Sequence, residues 1–171
     1  LAEAIKYGCI KDAALFEKIA GYADDAALLA DIDSVVATCC AIKARIVEQD
    51  EFDTGLRMLL NFGHTLGHAV EQHFGYSCFT HGEGVAIGMY QLTKRTEELG
   101  MTAKGSAERI KSVLEKYNLP LTAGVEKAQL LDTMARDKKK NGNSITLIIL
   151  QQIGEGVLQK VDWQEVPRYL G

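Results

Sequence analysis

Apolar positions recur along most of the chain at three- and four-residue intervals. That spacing predicts helices over 1–10, 12–21, 25–31 and 33–49, a long one over 54–74, another over 82–99, and two more over 105–117 and 126–136. Asp33-Ser34 and Thr54 stand where N-caps belong, and Gly75 and Gly100 where helices stop. The period then changes. Ser144-Ile-Thr-Leu-Ile-Ile-Leu150 is β-branched and uninterrupted, and reads as a buried strand. Gly156 to Val161 reads as a second strand, joined to the first through Ile153-Gly154-Glu155 as a hairpin-like pair. Asp162 to Leu170 reads as a short closing helix. The expected fold is mainly α: a multihelical domain with a small two-stranded β element near the C-terminus. There is no internal repeat. Lys138-Lys139-Lys140 is expected as the one charged loop, just before the first strand.

One segment departs from simple amphipathicity. Between Thr54 and His73, Leu56, Met58, Leu59, Leu60, Phe62, Leu66, Ala69 and Val70 cover most of the surface of the expected helix. Arg57, Asn61, His64 and His68, spaced 4, 3 and 4, share what is left. At roughly 100° per residue these four fall within about 60° of one another. A helix that apolar is usually buried. Its polar stripe must then face a wet cleft, a metal or hydrogen-bonding partners, because an unpaired buried polar group costs several kcal/mol. Arginine, asparagine and two histidines along one wall are anion-binding and proton-handling groups.

The chain has 171 residues, enough for one domain with a sizeable core, and 47% of them are hydrophobic. A net charge of −4 argues against a nucleic-acid binder. The apolar runs are too short for a membrane span, and no basic-then-apolar leader opens the sequence. It begins at Leu1 without Met and directly in a helical pattern, so residues 1–171 are expected to be one domain of a longer protein. The cysteines Cys9, Cys39, Cys40 and Cys78 form no CxxC pair. In a chain this well cored they are expected to be reduced, buried thiols in a cytoplasmic protein.

All four histidines lie within eighteen residues. His64 and His68 are one helical turn apart, a spacing at which two imidazoles can share a metal. The residues between them, Thr65-Leu66-Gly67, offer no glutamate base, which excludes a HExxH peptidase. His81 opens the apolar helix His81-Gly-Glu-Gly-Val-Ala-Ile-Gly-Met89 and can point back at His64, whereas His73 reads as a surface residue. A catalytic zinc takes three protein ligands and keeps one position open, so a further donor is needed. Glu3 is a candidate, although by themselves Glu3 and Lys6 read better as a plain i,i+3 ion pair. A Cys78/His81 pair at three-residue spacing is a weaker metal candidate. Lys6, Lys43, Arg57 and the Lys138–Lys140 run would bind an anionic small molecule if they converged. Gly82-Glu-Gly84-Val-Ala-Ile-Gly88 is GxGxxxG with no preceding strand, so it is not a dinucleotide fingerprint. Gly63/Gly67 and Gly84/Gly88 lie within helical patterns, where each glycine costs about 1 kcal/mol against alanine. Close approach of a helix or ligand is the expected return.

Leu60-Asn-Phe-Gly-His-Thr-Leu-Gly-His-Ala-Val-Glu71 closely resembles the LNxGHTxGHAxE signature of the 3-dehydroquinate synthase family. Ala2-Glu-Ala-Ile-Lys-Tyr-Gly8 is similar to that family's AExIKxG segment, and His81 to Met89 to its HGExVAIGM segment. Asp137-Lys-Lys139, followed by a strand and Ile153-Gly154, resembles its DKK…IG ending. The resemblance covers nearly the whole chain and points to the enzyme's C-terminal domain. It implies Glu3, His64 and His81 as metal ligands and His68 as a proton-handling, substrate-contacting residue. Lys6, Lys43, Arg57, Asn61 and Lys138 would hold the substrate's hydroxyls, carboxylate and phosphate, with Lys6 also serving catalysis. Asp53 stands where the family usually has glutamate, a candidate proton acceptor, and its reach is shorter. Gly84 stands where the family often has alanine. The resemblance further implies NAD and Zn2+ or Co2+ as cofactors. It implies an N-terminal NAD-binding α/β domain outside these residues, a homodimeric full-length enzyme, and conversion of 3-deoxy-D-arabino-heptulosonate 7-phosphate to 3-dehydroquinate and phosphate.

Three other readings compete. A related sugar-phosphate cyclase, such as 2-deoxy-scyllo-inosose synthase, would share the metal triad, but Arg57 with Lys138 suits a carboxylate. A metal-dependent polyol dehydrogenase would have less use for Lys6 and Lys43. A non-catalytic helical module would carry its histidines as structural residues.

Overall fold

The computed structural model describes residues 1–50, 55–141 and 143–170, with the backbone alone for 136–141. Helices dominate: α1 (Ala2–Ile10), α2 (Ala13–Gly21), α3 (Asp25–Ala30), α4 (Ile32–Gln49), α5 (His64–His73), α6 (His81–Glu98), α7 (Ser106–Lys116) and α8 (Lys127–Asn141). An antiparallel pair, β1 (Ser144–Gln152) and β2 (Glu155–Asp162), and a last turn, α9 (Val166–Tyr169), complete the chain. The mainly helical fold with one β-hairpin is the one the sequence pattern predicts. Among the described residues no helix is long and apolar enough to cross a membrane.

Two apolar clusters share α6 and β1. Ile5, Ile10, Phe16, Phe62, Val85, Met89 and Leu114 belong to one, built mainly from α1, α2, α6 and α7. Leu66, Leu92, Met134, Val161 and Tyr169 belong to the other, beneath α5, α8 and the hairpin. β1 alternates between them: Ile148 and Leu150 face the first, Leu147 and Ile149 the second. With both faces covered, the strand needs an unbroken apolar run instead of alternation. The hairpin register runs from Ser144 opposite Asp162 to Gln152 opposite Glu155.

Some expected boundaries change. The helix expected over 54–74 is two pieces: a 3₁₀ helix at Leu56–Asn61, then α5 from His64. Gly63 breaks it with φ +78°, a left-handed conformation that glycine alone adopts cheaply. Asp50 holds the start of the 3₁₀ piece, its Oδ2 accepting from the amides of Gly55 (2.7 Å) and Arg57 (2.9 Å). Thr54 itself lies outside the described residues. Helix α4 begins at Ile32, so Asp33-Ser34 is inside the helix and not its cap. Lys138 to Lys140 are no loop, because α8 continues through Asn141. Gly75 and Gly100 do follow helix ends, at φ +60° and +73°. All four cysteines are free, but only Cys9 is buried, and Cys40 and Cys78 are exposed.

Helices α5 and α6 cross backbone against backbone. A Cβ on Gly67 would lie 2.7 Å from the Gly84 carbonyl oxygen, and one on Gly88 would collide with the carbonyl oxygen of Gly63. The four glycines therefore remove the side chains that would hold the helices apart, as their spacing suggested.

Candidate metal centre

Three elements converge where α5 and α6 begin. Glu3 comes from the first turn of α1, His64 opens α5 and His81 opens α6. The start of α6 is held by a capping box: Thr80 Oγ1 accepts from the Glu83 amide, and the Thr80 amide donates to Glu83 Oε2 at 2.8 Å. The Thr80-x-x-Glu83 pattern was legible in the sequence and went unused there.

Glu3 Oε1 lies 3.3 Å from His64 Nε2 and 3.9 Å from His81 Nε2. The donor atoms of Glu3, His64 and His81 all lie within 4.8 Å of one another. Among the described residues, Glu3 Oε1 is buried without a hydrogen-bond partner. A buried carboxylate oxygen left unpaired between two imidazole nitrogens is costly unless a cation sits among them. The donor set, one carboxylate and two imidazoles, suits a catalytic zinc-type site with an open position.

The surroundings set these ligands. His64 Nδ1 lies 3.1 Å from the Phe62 carbonyl oxygen, which can only accept, so Nδ1 carries the proton and Nε2 presents its lone pair toward Glu3. Burial, the largest cause, and the nearby Lys6 charge push the His64 pKa below its ordinary value, favouring the neutral, ligating form. Lys6 is buried, and its Nζ donates to Glu3 Oε2 and to the Leu60 carbonyl oxygen, both at 2.7 Å. Burial, reinforced by the charge of Lys43, holds the Lys6 pKa below the usual lysine range. The break at Gly63 matters here, because it turns the Leu60 and Phe62 carbonyls toward these side-chain donors. The ion pair with Lys6 is formed through Oε2, and it leaves Oε1 facing the histidines.

His68 stands one turn along α5, its ring centroid 5.5 Å from that of His64 and 5.7 Å from that of His81. It is 60% exposed and borders a cavity of about 610 Å³. Asn61, His64 and His68 form one wall, with Thr65 and Gln72, while Ser144, Thr146 and Trp163 form the other. The expected single stripe is thus corrected. Asn61 reaches the same cavity from the 3₁₀ helix, not from the face of α5. Arg57 precedes it in that helix, its amide held by Asp50. Lys43 is exposed on α4, near enough for its charge to be felt at Lys6. Asp53 and the side chain of Lys138 lie outside the described residues. His73 is exposed, as expected, and Cys78 belongs to neither set of metal-capable groups among the described residues.

Sequence reasoning missed Glu71. It lies three residues beyond His68 on α5 and is buried, with Oε1 3.3 Å from His81 Nδ1. The 64, 68, 71 spacing that continues the histidine face was the available signal.

Residues 1–140 match the sequence model of the 3-dehydroquinate synthase C-terminal family. The chain belongs to that family. It is 45% identical to a 3-dehydroquinate synthase of Clostridium acetobutylicum, over 99% of this chain and 48% of that protein. A 3-dehydroquinate synthase of Enterococcus faecalis is 36% identical over the same shares. The chain thus spans about half the length of the curated relatives it matches. Two solved structures share its fold. One is 2-epi-5-epi-valiolone synthase from Streptomyces hygroscopicus with NAD+ and Zn2+ bound (TM-score 0.80, 22% identity, 98% of this chain and 48% of that one). The other is 2-deoxy-scyllo-inosose synthase complexed with carbaglucose-6-phosphate, NAD+ and Co2+ (TM-score 0.75, 17% identity, 98% and 49%).

Proposed function

We propose that this chain is the metal- and substrate-binding half of a 3-dehydroquinate synthase, acting on 3-deoxy-D-arabino-heptulosonate 7-phosphate to release phosphate and form 3-dehydroquinate. The observation that carries the reading is the unpaired Glu3 Oε1 facing the Nε2 atoms of His64 and His81. Family membership and relatives of that name at 45% identity support it and favour it over the other cyclases, which share only the fold.

Glu3, His64 and His81 would hold a divalent ion, Zn2+ or Co2+. When bound, that ion supplies Lewis-acid polarisation of a substrate hydroxyl, and NAD, bound mainly by an N-terminal α/β domain, supplies reversible hydride acceptance. The chain's own residues do the rest. Lys6 fastens Glu3 Oε2 and so aims Oε1. His68, exposed beside the cavity, is placed to exchange protons with a bound sugar. Asn61 offers an amide to hydroxyls on the same wall. Lys43, Arg57 and Lys138 are assigned to carboxylate and phosphate oxygens, and Asp53 to proton acceptance, from the family motif. The four free thiols are consistent with a reducing, cytoplasmic setting, and the family resemblance supports a homodimeric full-length enzyme.

The test is phosphate release from the heptulosonate phosphate with NAD and Zn2+ supplied. This chain alone should give no turnover, and joined to an N-terminal half it should. In the joined enzyme His64→Ala and His81→Ala should lose the ion, whereas His68→Ala should keep it and lose roughly 100-fold or more in rate. Full metal occupancy in both ligand variants would exclude the triad, and multiple turnovers by the isolated chain would exclude this division of the cofactor site.

A further inference from the structure

The metal reading leaves Glu71 unexplained. Its side chain is only 8% exposed, although it is an acid on a helix that borders a large cavity. Burying a carboxylate is costly unless something pairs with it. The helix crossing makes room for it: a Cβ on Gly84 would come within 3.2 Å of Glu71 Cγ. Its Oε1 lies 3.3 Å from His81 Nδ1, while its Oε2 stands 3.9 Å from His68 Nε2, beyond hydrogen-bonding range.

We propose that Glu71 is a positioning residue for the metal ligand His81, completing a carboxylate–histidine–metal relay that rests on the metal reading above. A carboxylate accepts and cannot donate, so its partner Nδ1 must carry the imidazole proton. That leaves Nε2 of His81 as the lone-pair nitrogen, and Nε2 is the atom facing Glu3 Oε1. His64 is arranged alike, with the Phe62 carbonyl in place of Glu71. The two ligand histidines thus share a tautomer but differ in acceptor. The neutral carbonyl serves the more buried ring. The charged carboxylate serves His81, which is half exposed and would otherwise turn freely. An anionic acceptor also makes the ligating nitrogen a stronger donor. The same atoms could instead form a second ion site, since His68, Glu71 and His81 also bring donor atoms within 4.8 Å of one another. Metal stoichiometry separates the two.

The experiment measures Zn2+ affinity by chelator competition, Co2+ absorption, and ions bound per chain. It compares, in the enzyme joined to an N-terminal half, the wild-type chain, Glu71→Gln and Glu71→Met, the last keeping the volume with only a weak thioether acceptor. Histidine ring 15N shifts of the metal-free chains are read about two pH units above the ordinary imidazole pKa. One ion should bind per wild-type chain. Glu71→Met should bind it roughly 10- to 100-fold more weakly, the usual effect of losing such a partner. Glu71→Gln, whose amide oxygen still accepts, should fall between them. The His81 proton should sit on Nδ1 in the wild type and move toward Nε2 in Glu71→Met. Undiminished affinity in Glu71→Met, a Gln variant no better than Met, or an unchanged tautomer overturns the proposal alone. Two ions per wild-type chain and one in the variants make Glu71 a ligand and overturn it too. No ion in the wild type overturns the metal reading and the proposal with it.

Discussion

The two halves of α6 are packed in opposite ways. Along its first half Gly84 and Gly88 meet Gly67 and Gly63 with no side chains between. Along its second half side chains do the joining. Leu92 enters the apolar cluster under the hairpin, and the hydroxyls of buried Thr93 and Thr96 bond back to the carbonyls of Met89 and Leu92. Thr96 Oγ1 lies 2.7 Å from Thr102 Oγ1, and Thr102 donates to the Leu150 carbonyl oxygen at 2.7 Å, tying α6 to β1. The difference fits the metal role proposed for the first half. Where His64 and His81 must come to a ring separation of 5.0 Å, the helices approach as closely as backbone allows. Where only cohesion is needed, ordinary side chains fill the space and add contact area.

That contrast makes separable predictions. The largest effect should come from Gly88→Ala, whose new methyl meets the Gly63 carbonyl, rigid backbone on both sides. It should cost about 3 kcal/mol, the upper end for overpacking, and weaken metal binding at least tenfold by parting His64 from His81. Urea melts and Zn2+ titration check both. Leu92→Ala should cost about 2.5 kcal/mol through its cavity and leave the affinity of the folded chain unchanged. If Leu92→Ala damaged metal binding as much as Gly88→Ala, the two halves would not be functionally distinct. Thr102→Val should cost about 1.5 kcal/mol by removing the hydroxyl that joins Thr96 to the Leu150 carbonyl, again without touching the metal, as melts and titration of that variant would report. Thr80→Ala is the smallest, about 1 kcal/mol for a lost N-cap. It lies on the site side of the helix, so the His81 ring resonance should move although most of the stability survives. A resonance unchanged by that substitution would mean that the cap does not place His81.

Elements whose boundaries depend on local chemistry were legible in the sequence. The hairpin, the glycine stops at Gly75 and Gly100, and α1, α2, α6 and α7 follow from periodicity, punctuation and short-range capping. The misreadings came where distant contacts overrode the local pattern. The segment around Phe62 and Gly63 is helical by periodicity, yet Gly63 packs against Val85 and Met89 of α6 and turns left-handed. The Lys138–Lys140 run has loop-like charge, yet the helix of Leu130, Leu131 and Met134 carries on through it. Glu71 continues the histidine face by spacing, but only α6, laid over it, buries it.

By itself the sequence determined most of the elements, the glycine-for-close-approach rule and the residue types of the candidate centre. These depend on spacing within ten or so residues, where backbone geometry is nearly fixed in advance. Only the tertiary structure decided which nitrogens face Glu3, that Lys6 holds its other oxygen, and that Glu71 lies under His81. Those are contacts between three separate helices: Glu3 of α1 stands some sixty to eighty residues from His64 and His81, and Glu71 and His81, though ten residues apart, meet only where α5 and α6 cross. No local periodicity encodes such distances. They are set when buried apolar faces and four missing side chains let the three helices close on one another.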